Sequence, residues 1–227
     1  MELLRDEGII IHTLNFRDYD RIVTAFTLNS GLIKLIVKGA NRPKNSLHSL
    51  TSPLTRVELI FAPAKGELHR FHEGSVLNFY LSFRKDLKLL DLACSLTQVI
   101  KNSQLLGKPS PMLYQLLARY LEYLPKIEDP SKLLSSFRMK TLRHDGLLFF
   151  RDRCNVCENV EETLFLAHGE TFCQKHSPRN ALEVSKSENQ TLQYLAFCRS
   201  ISELKSVNVS VSLEKTIEKL FDRALEK

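Results

Sequence analysis

The spacing of apolar and polar residues changes character once along the chain, near Asn78. Before that point, short β-branched runs alternate with turn signals. Residues 8–14, 21–28 and 32–38 each read as a strand, with Asn29-Ser30-Gly31 as the turn between the last two. A polar stretch, Gly39-Ala40-Asn41-Arg42-Pro43-Lys44-Asn45-Ser46, reads as a loop. Residues 55–62 form a fourth strand and 66–71 begin a fifth, with Pro63-Ala64-Lys65-Gly66 turning between them. Five short strands this close together predict a small closed barrel. After Asn78 the period lengthens. Leu113, Leu116, Leu117, Tyr120, Leu121 and Leu124 lie on one helix face, which Ser110-Pro111 starts and Pro125 stops. Residues 82–106, 132–142 and 189–204 read as further helices, and Leu213, Ile217, Leu220, Phe221, Ala224 and Leu225 mark a last one. Such stripes are core faces rather than binding surfaces. The pattern predicts an α+β chain. Residues 1–80 form the barrel, 81–150 and 181–227 form a helical domain, and 151–180 form a small inserted module.

Charge sharpens this picture. The formal net charge is +6, from 32 Lys and Arg against 26 Asp and Glu. Residues 21–57 contain no acidic residue but hold Arg21, Lys34, Lys38, Arg42, Lys44 and Arg56. The remaining basic residues, 32 − 6 = 26, equal the 26 acidic ones, so the whole excess lies in one block. A solvated face mixes both signs, and a one-signed block suits a polyanion. Within it, Lys38, Arg42 and Lys44 are the expected nucleic-acid contacts, with Arg21 and Lys34 in support. Lys34 and Lys38 share strand parity on the polar side, while Ile33, Leu35 and Val37 face inwards. A loop at a barrel mouth can reach a phosphate backbone without disturbing the core. No apolar run approaches the roughly 20 residues a bilayer demands. The opening Met1-Glu2-Leu3-Leu4-Arg5-Asp6-Glu7 lacks the basic start of a signal peptide. A cytoplasmic protein is expected, nucleoid-associated when acting on DNA.

Three of the five cysteines are clustered. Cys154-Asn155-Val156-Cys157 is one knuckle, and Cys173-Gln174-Lys175-His176 follows as a second pair. The spacing matches a structural zinc site with Cys154, Cys157, Cys173 and His176 as ligands. A hairpin turning at His168-Gly169 would bring the pairs together. Four protein ligands leave no open position for a catalytic water. Cys94 and Cys198 fall in apolar helical patterns and read as core. Catalytic signatures are missing: there is no Walker loop, no G-x-G-x-x-G, no G-x-S-x-G and no H-E-x-x-H. Asp18 and Asp20 read as loop residues, and His69 and His72 find no ligand set nearby. An enzyme is not expected.

Several segments, in order, resemble the RecO family of bacterial DNA repair and recombination mediators. They are Ile9-Ile10-Ile11, Tyr19-Asp20-Arg21-Ile22-Val23-Thr24 and Gly31-Leu32. Most telling is Val37-Lys38-Gly39-Ala40-Asn41-Arg42-Pro43-Lys44-Asn45-Ser46-Leu47. Phe83-Arg84-Lys85-Asp86-Leu87 and Phe137-Arg138-Met139-Lys140-Thr141-Leu142 follow. The likeness runs through about the first 180 residues. The chain departs from the family pattern at Glu158, where many members have Gly, at His168-Gly169, where many have Gly-Gly, and at His176, where a Cys is usual.

The resemblance implies an OB-like barrel that binds single- and double-stranded DNA and anneals complementary strands. It also implies contact with the acidic C-terminal tail of the single-strand-binding protein SSB, and cooperation with RecR in loading RecA onto SSB-coated DNA. Phe16, Tyr19 and Phe26 are candidate stacking residues on such a face, Phe26 equally a core residue. The SSB tail is acidic with a hydrophobic end, and Arg119 or Arg138 could supply its cation. The competing reading is a zinc-ribbon nucleic-acid-binding regulator acting on RNA or promoter DNA. A metal-dependent nuclease would be a third class.

Overall fold

In the computed structural model, which describes residues 2–226, the β-branched runs close into a five-stranded barrel. β1 (Leu4–Phe16), β2 (Asp20–Thr27) and β3 (Gly31–Val37) form an antiparallel meander. β4 (Arg56–Ala62) and β5 (Leu68–Asn78) form a hairpin. The order around the barrel is β1-β2-β3-β5-β4, with β1 antiparallel to β4 and β3 parallel to β5. This is the OB-like barrel of the sequence reading. Its interior follows strand parity. Ile33, Leu35 and Val37 are buried together with Val23, Ala25, Val57, Leu59 and Phe61, while Lys34 stays partly exposed. The pairing of β5 with β4 shifts register so that Phe71 faces Phe61 and Glu73 faces Ile60, leaving His72 as an extra residue. β5, which the sequence reading began over residues 66–71, continues to Asn78, and a helical turn α1 (Leu47–Leu50) lies between β3 and β4.

The chain divides into two compact units, the first ending at Pro125. Besides the barrel, this unit holds α2 (Leu81–Arg84), α3 (Leu87–Ser103) and α4 (Pro111–Tyr123). The helix predicted over 82–106 is thus two. Asp86 separates them because it is an N-cap: its backbone is extended and its carboxylate accepts the Lys88 and Leu89 N–H groups at 2.9 and 3.3 Å. The α3–α4 connection lies on the β2–β3 turn, where Gly107 N donates to Leu32 O at 2.8 Å. Gly31 has φ +71°, and a Cβ there would stand 2.0 Å from Lys108 O, so only glycine fits.

The second unit, from Lys126, holds α5 (Ser131–His144), β6 (Thr163–Ala167), β7 (Glu170–Phe172), β8 (Leu182–Ser185), α6 (Lys186–Phe197) and α7 (Val211–Leu225). Leu133 and Phe137 of α5 are buried with Leu192 and Leu195 of α6 and Leu213, Ile217 and Phe221 of α7. The predicted hairpin is present, and β8 extends it to a three-stranded sheet of order β7-β6-β8. The helix predicted over 189–204 starts earlier, at a Ser185–Glu188 capping box, and ends at Phe197. A second box, Ser200 with Glu203, restarts the chain as a 3-10 turn. No helix among the described residues is long and apolar enough to cross a membrane.

Candidate nucleic-acid interface and metal centre

The loop after β3 is held from within and from below. Gly39 N donates to Asp20 Oδ1 at 2.9 Å, and Asn41 N donates to Tyr19 O at 2.8 Å. Asn41 Nδ2 reaches Asn15 Oδ1 at 3.0 Å, and Asn45 Nδ2 reaches Gly39 O at 2.8 Å. The two asparagines and Asp20 are therefore the loop's fasteners, and the β1–β2 turn is its floor. Lys38, Arg42 and Lys44 are exposed on it, with no ion pair among the described residues. The Arg42 guanidinium lies 5.7 Å from the centre of the Tyr19 ring, and Tyr19 is about half exposed. Phe16 is half-buried with Arg17 over its ring, while Phe26 is fully buried in the core.

The other basic residues of the block have acquired partners. Lys34 Nζ lies 2.9 Å from Glu67 Oε2. Arg21 donates to Thr51 Oγ1 at 3.0 Å and to His48 O at 3.3 Å, and meets His48 Nε2 at 2.8 Å, joining β2 to α1. Burial moves the Arg21 guanidinium below its ordinary value. Arg56 bonds Glu7 at 2.6 Å and Glu122 of α4 at 3.1 Å, and Tyr114 of α4 donates to the same Glu7 oxygen at 2.6 Å. Sequence reading missed these ties because the partners stand 27 to 107 positions away. Arg119 is exposed on α4, whereas Arg138 pairs with Glu218 at 2.9 Å. His69 stacks on Phe61 with centroids 5.6 Å apart, and its Nδ1 accepts from Ala64 N.

The four predicted metal ligands converge. Cys154, Cys157, Cys173 and His176 place one ligand atom each within 4.8 Å of all the others. Cys157 Sγ lies 3.7 Å from Cys173 Sγ, and His176 Nδ1 lies 3.7 and 3.2 Å from the sulfurs of Cys154 and Cys173. Thiolates about 2.3 Å from one tetrahedral ion would stand about 3.8 Å apart, so the donor set fits a metal ion. Burial pushes the Cys154 thiol up, but amides of Cys173, Cys157 and Val156 turned towards the sulfur outweigh it and bring it down to about 6. The Cys157 thiol moves up, since the amide bond of Asn159 is outweighed by burial and the neighbouring sulfurs. The departures from the family pattern also find their geometry. Glu158 has φ +60°, and His168 and Gly169 have φ +51° and +77°. These are positions that glycine fills without strain. Glu158 is held there by Arg151, whose two nitrogens meet its two oxygens at 2.8 and 3.0 Å.

Comparison with known proteins agrees with this architecture. Residues 1–80 match the model of the Recombination protein O N terminal family, and residues 84–227 match that of the Recombination protein O C terminal family. A DNA repair protein RecO of Exiguobacterium sibiricum is 24% identical over 224 residues, covering 97% of this chain and 90% of the relative. The protein of that name from Acetivibrio thermocellus is 26% identical over 232 residues, covering 100% and 92%. That from Syntrophomonas wolfei is 26% identical over 219 residues, covering 95% and 87%.

Proposed function

This chain belongs to the RecO family of DNA repair proteins, and from that premise we propose that it is a recombination mediator whose barrel binds single- and double-stranded DNA without regard to sequence. The observation that carries the reading is the fastened loop after β3, with three exposed cations, Lys38, Arg42 and Lys44, that no carboxylate among the described residues neutralises. Phosphates are the natural partners of such a set, and their neutralisation releases counterions. Arg21 and Lys34 serve the same surface at second hand. Arg21 steadies the α1 turn, and Lys34 becomes a contact where a phosphate displaces Glu67. Tyr19 beside Arg42 offers a face for one base. Annealing follows from screening two strands and holding them close, and needs no catalytic residue.

In this reading the protein contacts the C-terminal tail of SSB, with Arg119 or Arg138 as the cation, and acts with RecR to load recombinase onto SSB-coated strands in the cytoplasm. The metal is zinc, held by Cys154, Cys157, Cys173 and His176. Its bonds would join the two knuckles where few apolar residues are available to do so. Strand annealing tests the function: complementary labelled strands, bare and coated with SSB, are mixed with the protein. Faster annealing on both is expected. With about five phosphates contacted, log K should fall against log salt with a slope of about −4. Tight binding to one sequence without annealing would favour a regulator instead, and magnesium- or manganese-dependent cleavage would favour a nuclease.

A further inference from the structure

β5 brings an arginine and a histidine, Arg70 and His72, to the β3 side of the barrel. It runs parallel to β3 with Arg70 beside Ile36, so Arg70 stands on the outer face that also carries Lys34. The next outward residue, His72, is the one left over at the β4–β5 register shift. A bulge of this kind re-aims a side chain and is common beside binding sites. Arg70 and His72 are both exposed, and among the described residues neither side chain has a hydrogen bond or ion pair. With Lys38, at the foot of the fastened loop, they line a cleft of about 280 Å³ whose floor includes Leu47, Phe71 and Gly74. Glu73 is the carboxylate on its wall.

We propose that this cleft is a backbone-phosphate site, in which Arg70 and His72 of β5 continue the nucleic-acid surface begun by Lys38, Arg42 and Lys44. The proposal rests on the DNA-binding reading above and extends it to residues outside the acid-free block. A strand crossing the loop then passes down the β3–β5 face, not over the β1–β2 side alone. Arg70 presents a fixed fork to phosphate oxygens, and His72 adds one N–H donor, or two when protonated. Glu73 opposes the phosphate and weakens the site. The sequence obscures it because Arg70 and His72 are interrupted by core-facing Phe71 and followed by an acidic residue.

The test uses the full chain and fluorescent oligothymidine, titrated from low to moderate salt. Arg70→Ala with His72→Ala is expected to weaken binding roughly tenfold and to lower the salt slope by about 1. Glu73→Gln is expected to tighten binding. Arg5→Ala, an exposed barrel arginine paired with Glu58, controls for net charge and should stay within about twofold. Circular dichroism melting confirms that each variant is folded. Should the wild type bind with steep salt dependence while the Arg70 and His72 variant matches it, the cleft is overturned and the wider reading stands. An equal loss in Arg5→Ala overturns the cleft too, since it assigns the effect to net charge. A wild type that binds no DNA overturns both.

Discussion

Two backbone positions in the module that carries the clustered cysteines show how a single residue decides local stability. His168 and Gly169 form the β6–β7 turn, both with positive φ. Two-residue hairpins of this hand favour Asn-Gly, because asparagine enters the left-handed region more easily than histidine. His168→Asn should therefore stabilise the module by about 0.5 kcal/mol and raise its urea midpoint accordingly. Gly169→Ala should do the reverse. Its Cβ would lie 2.2 Å from Leu147 O, at a φ that alanine resists. A loss above about 2 kcal/mol is expected. Urea titration followed by the amide signals of β6 and β7 in nuclear magnetic resonance measures both, and a stabilised Gly169→Ala would contradict the turn assignment. The convergence of Cys154, Cys157, Cys173 and His176 was legible in sequence, since a knuckle is local and its spacing survives folding. The strained backbone at Glu158 showed only as a departure from a family pattern.

At the scale of elements, α4 is joined to the barrel by a charge cluster. Glu7 on β1 receives Arg56 from β4 and Tyr114 from α4 on one oxygen. Burial pushes the Glu7 carboxyl up, but the hydrogen bonds of Arg56 and Tyr114 and the Arg56 charge bring it below its ordinary value. Burial likewise moves Tyr80, nearby, up to about 12. A carboxylate whose folded value is depressed stabilises the fold above its unfolded value, about 4.3, and that contribution is lost as pH falls through the folded value. Acid should therefore destabilise the first unit below about pH 4.3. Glu7→Gln should cost about 2 kcal/mol at neutral pH and flatten the acid slope. Thermal melts between neutrality and acid follow both effects, and an unchanged slope in Glu7→Gln would assign the acid sensitivity elsewhere. None of this was legible, because Glu7 and Tyr114 lie 107 positions apart. The elements themselves mostly were. β3 announced its inner face through Ile33, Leu35 and Val37, whereas the second half of β5 did not. His72-Glu73-Gly74-Ser75 is too polar to read as strand, and it pairs through a bulge that alternation cannot anticipate.

At the scale of the whole molecule, chemistry is divided between the units: cations on the barrel in the first, a Cys3His cluster that could hold a metal in the second. The proposed zinc should accordingly matter to one unit at a time. Stripping it with a strong chelator, or replacing Cys154 with Ala, should lower the melting temperature of the second unit and leave the barrel's amide signals in place by nuclear magnetic resonance. Elemental analysis of protein prepared without chelators should give one zinc per chain. Collapse of barrel signals on chelation would show that the metal supports more than its own module. Whole-molecule charge was the plainest feature in sequence, yet composition overstated the surface. Of the six cations in the acid-free block, Arg21, Lys34 and Arg56 are engaged with neighbours, and the remaining three carry the exposed charge.

The parallel pairing of β3 with β5 has a bearing on how the chain is born. A ribosome releases β1, β2 and β3 first, and these can pair as a meander as soon as they emerge. That meander has two open edges, β1 and β3, and their partners β4 and β5 come later. The β1 edge stays unpaired until β4, ending at Ala62, has cleared the exit tunnel, and the β3 edge until Leu68, His69 and Arg70 of β5 have followed; an open strand edge invites pairing with another chain. The nascent protein is thus most exposed to aggregation during synthesis of residues 38–70, and this is the segment that carries Lys38, Arg42 and Lys44. Their like charges would repel neighbouring nascent chains while the edges are open.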